Sequence, residues 1–127
     1  MIHFDPSLEA AVPEFNPTPS DTKIAIESND LTLTWSYTLG GSVVLGRIVN
    51  ITGGIEEDIA IREINGPTNV VGNYLPQGRF LANISETQAW LKILRVQSSD
   101  RGRYAFDMRI TGNKRLRHEV ELIIHGK

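Results

Sequence analysis

The residues with the greatest capacity for chemistry give no metal or catalytic site. His3, His118 and His125 are scattered, and no cysteine is present to complete a zinc site. Acidic residues 56–58 could offer oxygen ligands to calcium, but they do not belong to the acidic series of an EF-hand loop. A solvated turn is the favoured interpretation of this run, and we expect no metal.

Nucleophilic and phosphate-binding motifs are missing as well. Gly40-Gly41-Ser42 is followed by neither the lysine nor the helix of a phosphate-binding loop. The sequence contains no G-x-S-x-G elbow for a catalytic serine. We therefore expect a protein that is not an enzyme and that uses no cofactor.

The composition is typical of a single globular domain. Of the 127 residues, 40% are hydrophobic and 22% charged, which is enough to form one core. Thirteen basic against fifteen acidic residues give a net charge of −2, so we expect no nucleic-acid partner. The chain carries no apolar run of membrane-spanning length and no signal-peptide pattern at its start. Any membrane attachment would come through a larger parent protein.

The sequence pattern predicts β-strands along most of the chain. Residues 31–37 alternate between apolar and polar, with Leu31, Leu33 and Trp35 on one face. Further strands are predicted at 23–26, 43–51, 59–64, 79–81, 90–96, 104–110 and 119–124. Turn residues separate these segments, and none of them has a helical period. The pattern predicts an all-β sandwich or barrel of roughly eight or nine strands.

One segment is more specific than the rest. Residues 91–106 read LKILRVQSSDRGRYAF. They resemble the E strand, corner and F strand of variable-type immunoglobulin domains, L-x-I-x-x-V followed by D-x-G-x-Y-x-C. Asp100, Gly102 and Tyr104 match the corner, and Phe106 stands at the cysteine position. The resemblance implies that the Tyr104 hydroxyl bonds to upstream backbone and that Gly102 gives the turn its freedom.

Two further segments extend this resemblance. Gly78-Arg79-Phe80 resembles the start of the D strand, whose arginine pairs with the corner aspartate. The resemblance thus implies an ion pair between Arg79 and Asp100 at the bottom of the sandwich. The expected organisation is an extended N-terminal segment with a first strand in residues 1–21 and a V-set domain in 22–127.

The B strand of the same family resembles residues 31–37, LTLTWSY, with Trp35 in place of the first cysteine. The resemblance implies an immunoglobulin-like β-sandwich with a variable-type Greek key and no disulfide. Trp35 and Phe106 would pack against each other where the bridge would lie. Leu45 and Ile48 are the candidates for the place of the family's C-strand tryptophan.

A narrower resemblance concerns function. Variable-type domains that lack both cysteines but keep this corner occur in the allorecognition receptors of colonial cnidarians. The membrane-distal domains of those hydroid receptors bind copies of themselves on opposing cells, and the chain resembles them. Asn50 and Asn83 begin N-glycosylation sequons, which favours the extracellular face of the plasma membrane. The expected partner is an identical domain.

The front sheet is the expected interface. Side chains alternate along a strand, so the inward positions of Tyr104, Phe106 and Met108 on the F strand place Ala105 and the charged residues of that strand on the outer face. Acidic residues of the neighbouring G strand are expected on the same face. The candidate interface residues are Arg103, Asp107, Arg109, Glu119 and Glu121. Basic residues 114–118 are expected in the loop between F and G, with His118 at an exposed strand start. A two-fold contact would pair arginine with glutamate.

Two other interpretations stay open. The charges could form a solvated sheet face with no partner. The domain could also be a structural spacer or bind a different ligand, and the lack of cysteine favours an intracellular immunoglobulin-type module.

Overall fold

The structure, a computed structural model, describes residues 12–126, which form ten strands. The strands are β1 (Glu14–Phe15), β2 (Thr22–Ile26), β3 (Leu31–Thr38), β4 (Val43–Thr52), β5 (Ile55–Glu63), β6 (Thr68–Val70), β7 (Phe80–Ile84), β8 (Gln88–Ile93), β9 (Gly102–Ile110) and β10 (Lys114–His125). Short 3-10 helices lie at Gly72–Tyr74 and Ser98–Asp100. His3 and part of the predicted segment 1–21 fall outside the described residues.

Two sheets pack face to face. The back sheet has the order β1-β3-β8-β7, and the front sheet has the order β2-β10-β9-β4-β5-β6. The chain changes sheets early, because β1 pairs antiparallel with β3 whereas β2 pairs parallel with β10. Pro17 and Pro19 lie in this crossing, where the fixed φ and missing N–H of proline suit a connection. The predicted all-β sandwich is confirmed.

Aromatic rings form the centre of the core. Trp35 and Phe106 are both 0% exposed, and their ring centroids lie 5.6 Å apart. Tyr37 also stacks on Phe106, with centroids 5.4 Å apart and planes 7° from parallel. The expected contact between Trp35 and Phe106 is therefore present, and the neighbouring ring of Tyr37 extends it.

A hydrogen bond from Trp35 crosses between the sheets. The indole N–H donates to Nδ1 of His118 at 3.0 Å, and His118 Nε2 lies 3.1 Å from a carboxylate oxygen of Asp21. Since Nδ1 accepts, the hydrogen of the neutral ring lies on Nε2 and faces Asp21. The bond links β3 of the back sheet to β10 of the front sheet.

The expected position of His118 is wrong. The turn between the last two strands occupies only residues 111–113, so β10 begins at Lys114 and the basic residues 114–118 lie in the strand. The His118 side chain is 16% exposed, and its ring packs edge-on against Phe15.

The structure also shows which residues of β4 face the core, where related domains have the C-strand tryptophan. Ile48 is fully buried in the core, but Leu45 lies on the outer face in register with Arg109, because the register shifts between Val43 and Leu45. Gly46 takes the inward position, where an added Cβ would lie 2.8 Å from the Ile84 side chain. Leu45 is therefore not a core residue, and the backbone of β4 approaches the back sheet closely at Gly46.

Candidate recognition surface

The corner before β9 is closed by buried polar groups. The Arg79 guanidinium makes two hydrogen bonds, of 2.9 and 3.0 Å, to the Asp100 carboxylate, and Tyr104 donates to the Asp100 carbonyl. The bond to Asp100 raises the pKa of Arg79, and burial raises the pKa of Tyr104. Gly102 has φ +141°, a conformation that side chains disfavour. These groups hold the fold and are not available to a partner.

The outer face of the front sheet carries charged residues that pair within the chain. We call them the front-face network: Arg47, Glu56, Asp58, Arg103, Asp107, Arg115, Arg117 and Glu119. Four are cations and four are anions, so the network is neutral within the part of the chain that the structure describes. It extends over β5, β4, β9 and β10, which are adjacent in the sheet.

Arg117 is the centre of this network. Its guanidinium lies 2.7 Å from Asp107, 2.5 Å from Glu56 and 3.4 Å from Glu119. Arg115 forms a second pair with Asp107. Burial alone would raise the pKa of Asp107, but the hydrogen bonds from Arg115 and Arg117 outweigh it and hold that pKa below its ordinary value.

The expected exposure of Asp107 and Ala105 is wrong. Asp107 is 4% exposed and Ala105 is 0% exposed, although both point away from the other sheet. Val49, in register with Ala105, is also fully buried and stands outside the core cluster. Arg115 and Arg117 of the network cover Asp107, because both donate hydrogen bonds to its carboxylate. Asp107 is therefore not a free interface residue.

The other candidate interface residues fall into two groups. Arg103 and Glu119 pair with each other in the same molecule at 3.3 Å. Arg109 and Glu121 are exposed, and neither has an ion-pair partner among residues 12–126. They lie at opposite ends of the face, because Glu121 is in register with Arg103, six residues before Arg109 on β9.

The network residues on β4 and β5 are absent from the sequence-based candidates. Arg47, Glu56 and Asp58 join the site because β4 pairs with β9 and β5 with β4. The sequence does contain one signal for this charged face, the charged residues at every second position from Arg115 to Glu121. Assigning Arg115 and Arg117 to a loop hides that alternation.

The two sequons lie on different surfaces. Asn83 is exposed on β7, on the outer face of the back sheet. Asn50 is partly buried near the end of β4, and its Oδ1 accepts a hydrogen bond from Thr52.

The described residues also bear on metals and membranes. No group of three or more His, Asp or Glu side chains in residues 12–126 could hold a metal ion. None of the described helices has the length and apolar character needed to cross a membrane.

Comparison with known proteins places the fold. No family model and no curated protein matches the chain. Murine CRIg matches with a TM-score of 0.69 and 18% identity over 89% of this chain and 98% of its own. A chain from a structure on T cell specificity and activation by the bacterial superantigen toxic shock syndrome toxin-1 matches with a TM-score of 0.69 and 13% identity, over 91% of this chain and 99% of its own. The chain has the immunoglobulin-like, variable-type β-sandwich fold, without a disulfide.

Proposed function

We propose that the chain is an extracellular, cell-surface recognition domain that binds an identical domain on an opposing cell through its front sheet. The observation that carries the proposal is the pair of unpartnered charges on that face. Within residues 12–126, Arg109 and Glu121 are exposed charges of opposite sign on this face that lack an ion pair, and Glu63, in register with Leu45, is a further exposed carboxylate without one. Both belong to the interface expected from the sequence.

Their positions suit a two-fold contact. Arg109 and Glu121 lie six residues apart along the strand direction, which is a distance of about 20 Å. When two copies meet face to face about a two-fold axis between these ends, each Arg109 meets the partner's Glu121. One surface then supplies both sides of the contact.

The front-face network suits a recognition surface for a second reason. Its side chains already hold one another in place, so binding would immobilise few additional rotamers. A partner with altered charges at either end would meet like charges and be rejected. Discrimination between self and non-self, which the cnidarian resemblance implies, would follow from such changes.

One observation favours a second candidate. Most charges of the face are neutralised within the chain, which also suits a passive spacer or a domain with a different ligand. The experiment must therefore separate a self-contact from no contact.

Charge exchange provides that test. Beads coated with wild-type domain are expected to cluster, whereas Arg109→Glu beads and Glu121→Arg beads should each fail alone. Mixing the two variants should restore clustering, because the glutamate introduced at position 109 of one variant then faces the arginine introduced at position 121 of the other. The remaining native pair, Glu121 of the first variant and Arg109 of the second, also meets with opposite charges. Domains that carry both changes should cluster with themselves and not with wild type.

The matched control is Lys92→Glu, which reverses a charge on the outer face of the back sheet. It should leave clustering unchanged. If wild-type beads never cluster, the homophilic proposal is wrong and the spacer or a different ligand takes its place. If the two single variants fail to restore each other, the contact does not have this two-fold geometry.

A further inference from the structure

Trp90 is an unusual residue on the outer face of the back sheet. It lies on β8, half-buried, and its ring contacts no other aromatic ring in the described chain. Its neighbours on this face are mainly polar: Thr32, Thr34, Ser36, Gln88 and Lys92. The indole of Trp90 therefore offers an apolar ring surface on an otherwise mainly polar face.

Asn83 is the direct cross-strand neighbour of Trp90. The two residues are in register in the antiparallel pair of β7 and β8. Directly opposed residues share a face, with Cβ atoms about 4.5–5.5 Å apart. Asn83 is exposed, makes no side-chain hydrogen bond within residues 12–126, and begins the sequon Asn83-Ile84-Ser85. Its amide nitrogen is free to carry a sugar beside the indole ring.

The sequon at Asn50 has the opposite surroundings. Thr52 donates to Asn50 Oδ1 at 2.9 Å, so that oxygen is occupied. Asn50 is also half-buried, and it lines the same cleft as Tyr104 and Asp100 of the corner. A glycan at Asn50 would have to fit beside these buried corner residues.

We propose that Asn83, and not Asn50, carries an N-linked glycan whose first sugar packs on the ring of Trp90. The sugar covers the apolar part of the back sheet, and the front sheet remains the free face. An amphipathic indole ring suits a sugar, because it offers an apolar surface at a wet boundary. This inference rests on the proposed function in one respect: the chain must pass through the secretory pathway to receive an N-linked glycan.

Site occupancy is the first test. The chain is secreted from eukaryotic cells behind a heterologous signal peptide, and glycopeptides are mapped by mass spectrometry. We expect one glycan, at Asn83. Its mass should be lost in Asn83→Gln and retained in Asn50→Gln. A glycan at Asn50, or an unmodified Asn83, would overturn the assignment.

Tryptophan fluorescence tests the contact. The chain has two tryptophans, and Trp35 is 0% exposed, so a soluble quencher reports chiefly on Trp90. Trimming the glycan to its first N-acetylglucosamine should leave quenching unchanged, whereas the unglycosylated Asn83→Gln protein should be quenched more. The thermal midpoint should also fall by about 2–4 °C on loss of the sugar, and Trp90→Ala should abolish that difference. Equal quenching with and without the sugar would overturn the packing.

Neither readout depends on cell or bead clustering. Wild-type protein that is modified at Asn83 but never clusters would count against the proposed function alone. Protein that clusters while Asn83 is unmodified would count against the glycan alone.

Discussion

Trp35 links the two sheets without a covalent bond. A disulfide between positions 35 and 106 would close a loop of about 70 residues and contribute roughly 4 kcal/mol in the chain-entropy description. Burial of Trp35 and Phe106 contributes about 1.5–3 kcal/mol each, and the bond to His118 adds about 1 kcal/mol. Ring packing and one hydrogen bond between sheets can therefore replace the bridge.

We expect Trp35→Ala to lower the free energy of unfolding by about 3–5 kcal/mol, because it empties an aromatic site and removes the donor to His118. Urea denaturation of unglycosylated protein measures the change. The second tryptophan provides the control, since Trp90→Ala on the outer face should cost under about 1 kcal/mol. A loss at Trp35 as small as that at Trp90 would mean that Trp35 does not connect the sheets.

Strand periodicity explains which parts of the elements could be predicted. Alternation correctly placed Leu33 and Trp35 of β3 and Met108 of β9 in the core. It failed for Asp107, because an outward position is exposed only if no neighbouring side chain covers it. The cover comes from Arg117, whose partner Glu56 is 61 residues away in sequence. Such contacts depend on strand order, which the pattern of a single strand does not contain.

The front-face network gives the sheet a dependence on pH. The pKa of Asp107 is lower in the folded chain than in the unfolded chain, so its ionised form favours folding. This stability is fully present above about pH 4 and is lost as the pH falls through the lowered pKa. Asp107→Asn should unfold more easily at pH 7 and lose less stability than wild type below pH 4.

Denaturation curves from about pH 7 to pH 2.5 measure this difference. Glu121→Gln is the control, because Glu121 is exposed and outside the network, and its profile should follow wild type. An Asp107→Asn protein as stable as wild type at pH 7 would show that the ion pairs only offset the cost of burying the carboxylate.

The molecule as a whole has two faces of different chemistry. Within residues 12–126, the front sheet presents a neutral network with unpaired charges of opposite sign at its ends, Arg109 and Glu121, and a further unpaired carboxylate, Glu63, on β5. The back sheet presents hydroxyl and amide groups around Trp90, next to a sequon. If the sugar covers the back sheet, a partner is directed to the front sheet. The two proposals then describe one arrangement, in which modification of one face favours recognition through the other.

We expect the isolated chain to be monomeric at micromolar concentration and to associate only when presented in arrays. A two-fold contact would contain just two intermolecular ion pairs, and exposed pairs are individually weak. Many copies on opposing surfaces raise the effective concentration and make the contact stable. Sedimentation measures the state of the free chain, and bead clustering measures the array. Raising the salt concentration from about 0.15 M to about 0.5 M should weaken clustering, because it screens exposed charges. A stable dimer in dilute solution, or clustering that salt leaves unchanged, would point to an apolar contact elsewhere on the domain.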